Sequence, residues 1–371
     1  MLSRSAVRAY SSSAVKLVAR DAPGNLSTLT VVVNNAGSKA GKAGVAHLLS
    51  KYNFLNNEVK SALRFTRESE LLGGSFASTV TRDDIILSTQ FLKQDLPYYV
   101  EALGNVLTKT SFRPHELSEI VLPAAKADFT TAAADNAFIA LEELHQLSFR
   151  TGYGNPLYYD NTTKLSVADV QSFASQAYTS SGVSIFASGV NEADLAGFVG
   201  ESAFSELPAG SLASPAVKTF TGKDARIRAS GASSALIGVP VKPADFAKFE
   251  TLSVAVGSTV LPNPFAPLAS IPGATSHLYK YKDAGLFVVS VTGANGAVVS
   301  EGIKQAKKIV DGVTSSQLSS ASKDAELALT LQSTFEAPLE TAVSSVSEAK
   351  LGAFNYVAIG DVDALPYPEE L

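Results

Sequence analysis

The sequence predicts an α+β protein built from two homologous domains, each a mixed, mostly antiparallel sheet with helices on one face. Three observations lead there. Strand-like runs come in pairs that short turns can join, with helical spacing between the pairs, the order of an α+β fold rather than a doubly wound one. A Pro-, Gly- and Ser-rich stretch with little periodicity, "SELPAGSLASPAVKTFTGKD" over residues 205–224, interrupts the chain past its middle. Beyond it the pattern restarts, and the halves close alike: "VSIFASGVNEADLAGF" matches "FNYVAIGDVDALPYPE" in strand, Gly, acid and polar turn. Similarity at one long period marks a duplicated domain, because solenoids repeat every 20–50 residues. The expected domains are 17–204 and 225–371, joined by a linker over 205–224.

In chain order, "STLTVVVNNAGS" is a β-branched run ending in Asn and Gly, a strand into a turn. "GVAHLLSKYNF" has helical spacing, and "VKSALRFTRESELLG" is a second helix stopped by Gly73 and Gly74. "SFASTVTRDDIILSTQFL" alternates as a hairpin with its turn over residues 81–84. "LPYYVEALGNVLTKT" and "PHELSEIVLPAAKADFTTAAADNAFIALEELHQLSF" read as helices, and Pro123 is expected to kink or break the second. "SVADVQSFASQAYT" is a helix and "GVSIFASGV" a strand; past the linker, "ASSALIGVPVKPADFAKFETLSVAVGS" gives strand, turn and helix. The Ser-rich residues 314–322 read as an exposed loop. "TGANGAV" near Gly293 reads as a hairpin turn. "GSKAGKAG" over residues 37–44 fails the phosphate-loop spacing and has Ala43 where a Mg²⁺-binding hydroxyl belongs, so it reads as a flexible turn.

Composition narrows the function. The 371 residues suit two domains of ordinary size. Hydrophobic residues make up 46% and charged ones 18%, with a mean hydropathy of +0.14, yet no apolar run reaches the roughly 18 residues of a membrane span. The apolar excess belongs inside the fold or against other proteins, which points to a subunit of a permanent complex. A net charge of −5 without a basic stripe argues against nucleic acid. With no cysteine, disulfides, thiolate metal sites and a cysteine nucleophile are excluded. The opening "MLSRSAVRAYSSSAVKLVAR" carries Arg4, Arg8, Lys16 and Arg20, many serines and no acid, the composition of a mitochondrial transit peptide. We expect it to span residues 1–16, with cleavage near 10–16; losing residues 1–10 would take the charge from −5 to −7.

The informative motif is His47-Leu48-Leu49-Ser50-Lys51. Together with "ESELLGGSFASTVTRDDIIL", it resembles the pitrilysin and mitochondrial processing peptidase family, whose active members carry His-x-x-Glu-His on this helix. Two histidines at i and i+4 hold one zinc, the intervening glutamate takes a proton from the metal-bound water, and a later helix supplies a third, glutamate ligand. Here Ser50 stands at the general-base position, and a hydroxyl with no base beside it cannot deprotonate water near neutral pH. Lys51 stands at the second ligand position, where an ammonium offers no lone pair. The third ligand aligns with Ala124 in "EIVLPAAK". One ligand of three survives, so neither a metal nor any other cofactor is expected. His47 then reads as a buried histidine satisfied by a hydrogen bond. His115 reads as a capping or solvated residue at a helix start, and His145 and His277 stand isolated.

The resemblance runs along almost the whole chain to the family's non-catalytic core-subunit branch in fungi, through "GVAHLLSKYNFLN", "KTSFRPHELSEIVLPAAK", "GNPLYYD" and "LGAFNYVAIGDVDALPYPEEL". It implies a pitrilysin-like fold without its zinc site and a scaffold on the matrix side of the dimeric respiratory complex III. The implied partners are core protein 1, cytochrome b, cytochrome c1 and the Rieske protein, which hold the redox centres. A rival from the same family is the non-catalytic, presequence-gripping subunit of the processing peptidase. That subunit uses a mobile glycine-rich loop in its second half, where "GSTVLPNPFAPLASIPGATSHLYK" has stiff prolines instead.

Overall fold

The structure, a computed structural model, describes residues 15–371 apart from 215, 344, 345 and 347; the expected transit peptide lies mostly outside the described residues. The described residues form two compact units, one within residues 15–126 and 159–214, the other within residues 127–158 and 216–371.

The first unit contains the strands β1 (Lys16–Arg20), β2 (Leu26–Val33), β3 (Ser75–Val80), β4 (Ile85–Leu92) and β5 (Val183–Ser188). Their order is β1-β5-β2-β4-β3, parallel between β1 and β5 and antiparallel elsewhere. The edge strand β1 is one that the sequence reading did not name, and it begins at Lys16, the last residue of the expected leader. Its short run "KLVAR" carries no strand signal until paired with β5, in the register Lys16 to Ser184. The first unit's helices are α1 (Val45–Tyr52), α2 (Ala62–Leu71), α3 (Leu96–Thr108) and α4 (Pro114–Glu116), then a π-turn over Leu117–Val121, α5 (Leu122–Ala133), most of which falls in the other unit, α7 (Val167–Ala177) and α8 (Glu192–Glu201); α6 (Asn136–Phe149) belongs to the second unit. Alternate residues of the central strands, Leu29, Val31 and Val33 on β2 with Ile85, Leu87 and Phe91 on β4, form the core with Leu48, Leu49, Tyr99, Leu103 and Phe173 of the helices. Pro123 neither breaks nor ends its helix. The Leu122 N–H reaches back five residues to the Leu117 carbonyl, and this wider turn places the proline in the first turn of α5, where its missing donor is not needed.

The second unit contains β6 (Asp224–Arg228), β7 (Ser233–Val241), α9 (Phe246–Val256), β8 (Ala274–Lys280), β9 (Gly285–Gly293), α10 (Gly296–Asp311), α11 (Ser315–Gln332) and β10 (Asn355–Gly360). Its sheet order, β6-β10-β7-β9-β8, repeats that of the first strand for strand, with its single parallel pair again at the same edge. One face of this sheet packs on Leu252, Val299, Ile303 and Leu318 of the helices. The other face is covered as well: Leu236, Leu286, Val288, Val357 and Ile359 bury Ala140, Leu144 and Phe149 of α6. Gly238 admits that helix, since a β-carbon there would lie 2.6 Å from the Leu144 side chain. Strands buried on both faces are near-continuously apolar, as "ALIGVPV" and "LFVVSV" are.

Three local expectations change. The Ser-rich residues 314–322 begin α11: Thr314 accepts from the Gln317 N–H while the Gln317 side chain accepts from the Thr314 N–H at 2.9 Å, a capping box. The Asn of "TGANGAV" does not turn a hairpin. Asn295 caps α10 by accepting the Ala297 N–H at 2.9 Å. The "GSKAGKAG" segment is packed rather than loose: Gly37, Ser38 and Lys39 donate to the carbonyls of Asp83, Thr81 and Arg82, and buried Lys39 pairs with Asp83 at 2.7 Å.

Candidate functional site

Helix α1 carries the motif. Gly44 precedes it at φ +83, a left-handed conformation that suits glycine. Nearly every residue of α1 is buried, polar His47 and Ser50 included, and it packs on α7 and β3. His47 lies inside this packing. Its Nδ1 accepts the backbone N–H of Tyr159 at 3.0 Å, joining α1 to a segment 112 residues later. A neutral imidazole has one acceptor nitrogen, and here that lone pair is taken, so the ring proton sits on Nε2. Ser50, also buried, donates its hydroxyl to the His47 carbonyl at 2.7 Å. Lys51 occupies the last turn of α1, where a cation complements the helix dipole. Ala124 is half-buried, one residue after Pro123 on α5.

Residues that the motif did not point to complete the surroundings. Glu116 is fully buried and accepts from the Asn56 side chain at 2.5 Å and the Arg113 N–H at 3.2 Å. Burial, with the Glu116 charge adding to it, pushes the Tyr52 phenol up to about 12, so it stays protonated. The one advance sign of Glu116 was its place three residues after Arg113, at a helix start. Tyr159 acts through its backbone, which leaves no mark in a sequence.

The other three histidines each have a local setting of their own. His115 is exposed at the start of α4. Buried His145 donates from Nδ1 to the Leu141 carbonyl and accepts from the Tyr281 hydroxyl, both at 2.7 Å. His277 meets the Thr259 hydroxyl at 2.9 Å, and burial lowers its pKa. Among the described residues no group of three or more His, Cys, Asp or Glu is placed to hold a metal ion, and no helix is long and apolar enough to cross a membrane.

Comparison with known proteins adds the following. The insulinase family (peptidase family M16) matches residues 16–161. The mitochondrial cytochrome b-c1 complex subunit 2 of Debaryomyces hansenii is 65% identical, over 100% of both chains. The same subunit from Saccharomyces cerevisiae is 44% identical over 95% of each chain. The crystal structure of a peptidase M16 inactive domain from Pseudomonas fluorescens superposes with a TM-score of 0.75, covering 95% of this chain and 97% of that one; at 16% identity the likeness is one of fold.

Proposed function

The chain belongs to the fungal family of cytochrome b-c1 complex subunit 2, a branch of the insulinase-type M16 peptidases, and from that premise we propose that it is a scaffold whose peptidase frame has been emptied of zinc chemistry. It is a structural, non-catalytic core subunit of respiratory complex III, a mitochondrial inner-membrane assembly of the electron-transport chain. In our reading it sits peripherally on the matrix side, paired with core protein 1 beneath cytochrome b, in a dimeric complex that also holds cytochrome c1 and the Rieske protein. The haems and the iron–sulfur cluster belong to those partners.

One observation carries the loss of chemistry. The lone pair that His47 would offer a metal is engaged by the Tyr159 N–H. Ser50 supports this, its hydroxyl turned back onto the helix carbonyl rather than towards a water. We assign His47, Ser50, Lys51 and Ala124 as the relics of the first ligand, the base, the second ligand and the third. Identity of 65% across the full length favours the complex III role over presequence binding for a processing peptidase. We also place the cut that releases the transit peptide before Lys16, since a later one would remove residues of β1 that pair with β5.

Purifying the tagged chain in mild detergent tests the role. Cytochrome b, cytochrome c1, the Rieske protein and core protein 1 should accompany it, and an active zinc-peptidase subunit in their place would overturn the reading. The relic assignment has its own test. Ser50→Glu with Lys51→His should bring neither stoichiometric zinc nor peptide cleavage, because Ala124 still supplies no carboxylate; gain of either would refute the register.

A further inference from the structure

The sequence contains one Asn-Gly pair, Asn295-Gly296, and it stands at the start of α10. Asn before Gly is the pair most open to imide formation, because glycine has no side chain to obstruct the turn of its nitrogen back onto the Asn side chain. Asn295 is exposed. Both residues line an open hollow of about 490 Å³, shared with Arg228, Ser233 and Asp361, which admits the water that such chemistry consumes. In the folded helix the attack is held off. The Asn295 side-chain oxygen accepts the Ala297 N–H at 2.9 Å, and its carbonyl accepts the Val299 N–H at 3.1 Å. Its ψ of 116 turns the Gly296 nitrogen away from the side chain, and Gly296 itself is buried. A cap and one helical bond thus hold this turn shut, at a helix end, where fraying begins.

From this arrangement we infer that Asn295 is a deamidation site, gated by opening of the first turn of α10, and that its product is an ageing mark on the second unit. When the turn opens, the Gly296 nitrogen gives up its proton and attacks Asn295 Cγ. The new C–N bond closes a five-membered imide, and the side-chain nitrogen leaves as ammonia, carrying a proton with it. Water then opens the ring. Addition at the former side-chain carbonyl gives aspartate in an ordinary chain; addition at the backbone carbonyl leaves Gly296 joined through the side chain, as isoaspartate. Aspartate still offers an oxygen to the Ala297 N–H, so the cap survives. Isoaspartate inserts an extra carbon into the main chain, so neither the capping oxygen nor the carbonyl that Val299 uses keeps its place. Helix α10 sends Val299 and Ile303 into the core of its unit, and it would then lose its first turn.

The test ages the tagged full chain, isolated in mild detergent with whatever accompanies it, in neutral buffer beside a synthetic peptide of residues 290–300. Peptide mapping by mass spectrometry follows both. Asn295 should gain the mass of an acid ahead of every other asparagine in the chain. It should do so more slowly than the peptide by roughly two- to thirtyfold, the factor to which a cap's stabilisation corresponds. Hydrogen exchange over residues 297–303 should quicken as isoaspartate accumulates. In Asn295→Ser, whose hydroxyl caps as well and has no amide to lose, exchange there should stay unchanged on ageing. Earlier conversion of a different asparagine, conversion at the peptide's own rate, or none after about thirty of the peptide's half-times would each overturn the inference. Exchange that quickens equally in aged Asn295→Ser would overturn it too.

Discussion

The hydrogen bond from the Tyr159 N–H to His47 Nδ1 is buried and spans 112 residues, so substitutions at His47 separate a packing role from a metal-binding one. Asn can place its side-chain oxygen where Nδ1 accepts; Leu fills space but leaves a buried N–H without a partner. His47→Asn should therefore be more stable than His47→Leu by about 1–3 kcal/mol in urea unfolding, the usual cost of an orphaned buried donor. Equal losses would show that the bond contributes nothing. Gly44 is the second sensitive residue, because its φ of +83 and the 2.5 Å between a would-be β-carbon and the Tyr159 ring leave no room for a side chain. Gly44→Ala should cost at least about 1–2 kcal/mol, from the left-handed conformation alone. Gly197→Ala in α8, with nothing within 4 Å of its β-carbon, should be neutral or stabilising. If urea unfolding ranks these two the other way, the close approach at Gly44 is not a constraint. At this scale His47, Ser50 and Lys51 could be picked out by their spacing, while what each side chain touches could not, since a backbone donor far along the chain has no residue type to betray it.

Helix α2 is tied down by one carboxylate. Glu68 accepts from Lys60 and Arg64, each at 2.7 Å, and from the Tyr98 hydroxyl of α3 at 3.1 Å. The hydrogen bond from Lys60, then that from Arg64, hold its pKa down from an ordinary value of 4.5 to about 2. A depressed folded-state pKa stabilises at pH above the unfolded value and loses that contribution as pH falls through the folded one. Wild type should thus exceed Glu68→Gln in urea midpoint at pH 6, and the gap should close steadily as pH drops from about 4.5 towards 2. A gap independent of pH would mean that the ionised form is not what matters. Salt should narrow it too, because the carboxylate is a quarter exposed. Elements with strong periodicity, such as α2 and the β3–β4 hairpin, were legible beforehand. α11 was not, because serine content masked a Thr314–Gln317 capping box followed by buried Leu318, Ala321, Ala325 and Leu329 at helical spacing. The π-turn before Pro123 was hidden for another reason: it is made by the Leu122 N–H reaching back to the Leu117 carbonyl, a backbone bond that no residue type marks.

Across the whole molecule the duplication is complete in the sheets and broken in the helices. Both sheets share one strand order, yet residues 127–158 leave the first sequence half and pack with the second sheet. Nothing in the composition of that stretch resembles a linker, whereas residues 205–224 do, so a reading of local signals places one boundary and misses the excursion. The apolar residues of α6 face the strands β7, β9 and β10, far later in the chain, and contacts of that range leave no local pattern. The consequence can be tested by dissection. A fragment of residues 215–371 keeps every strand of its sheet but uncovers Leu236, Leu286, Val288, Val357 and Ile359 together, and leaves Asn355 without the Ser148 hydroxyl it donates to at 3.0 Å. A contiguous apolar face of that kind drives aggregation, and a buried amide that keeps the Phe220 carbonyl but loses its second acceptor adds to the loss. Residues 215–371 alone should therefore be insoluble or unfold without cooperativity, whereas residues 127–158 joined by a flexible linker to 215–371 should be recovered soluble with a single urea transition. A soluble, cooperatively unfolding 215–371 fragment would demote α6 from part of the second unit's core to an ornament laid on a sheet that is already stable.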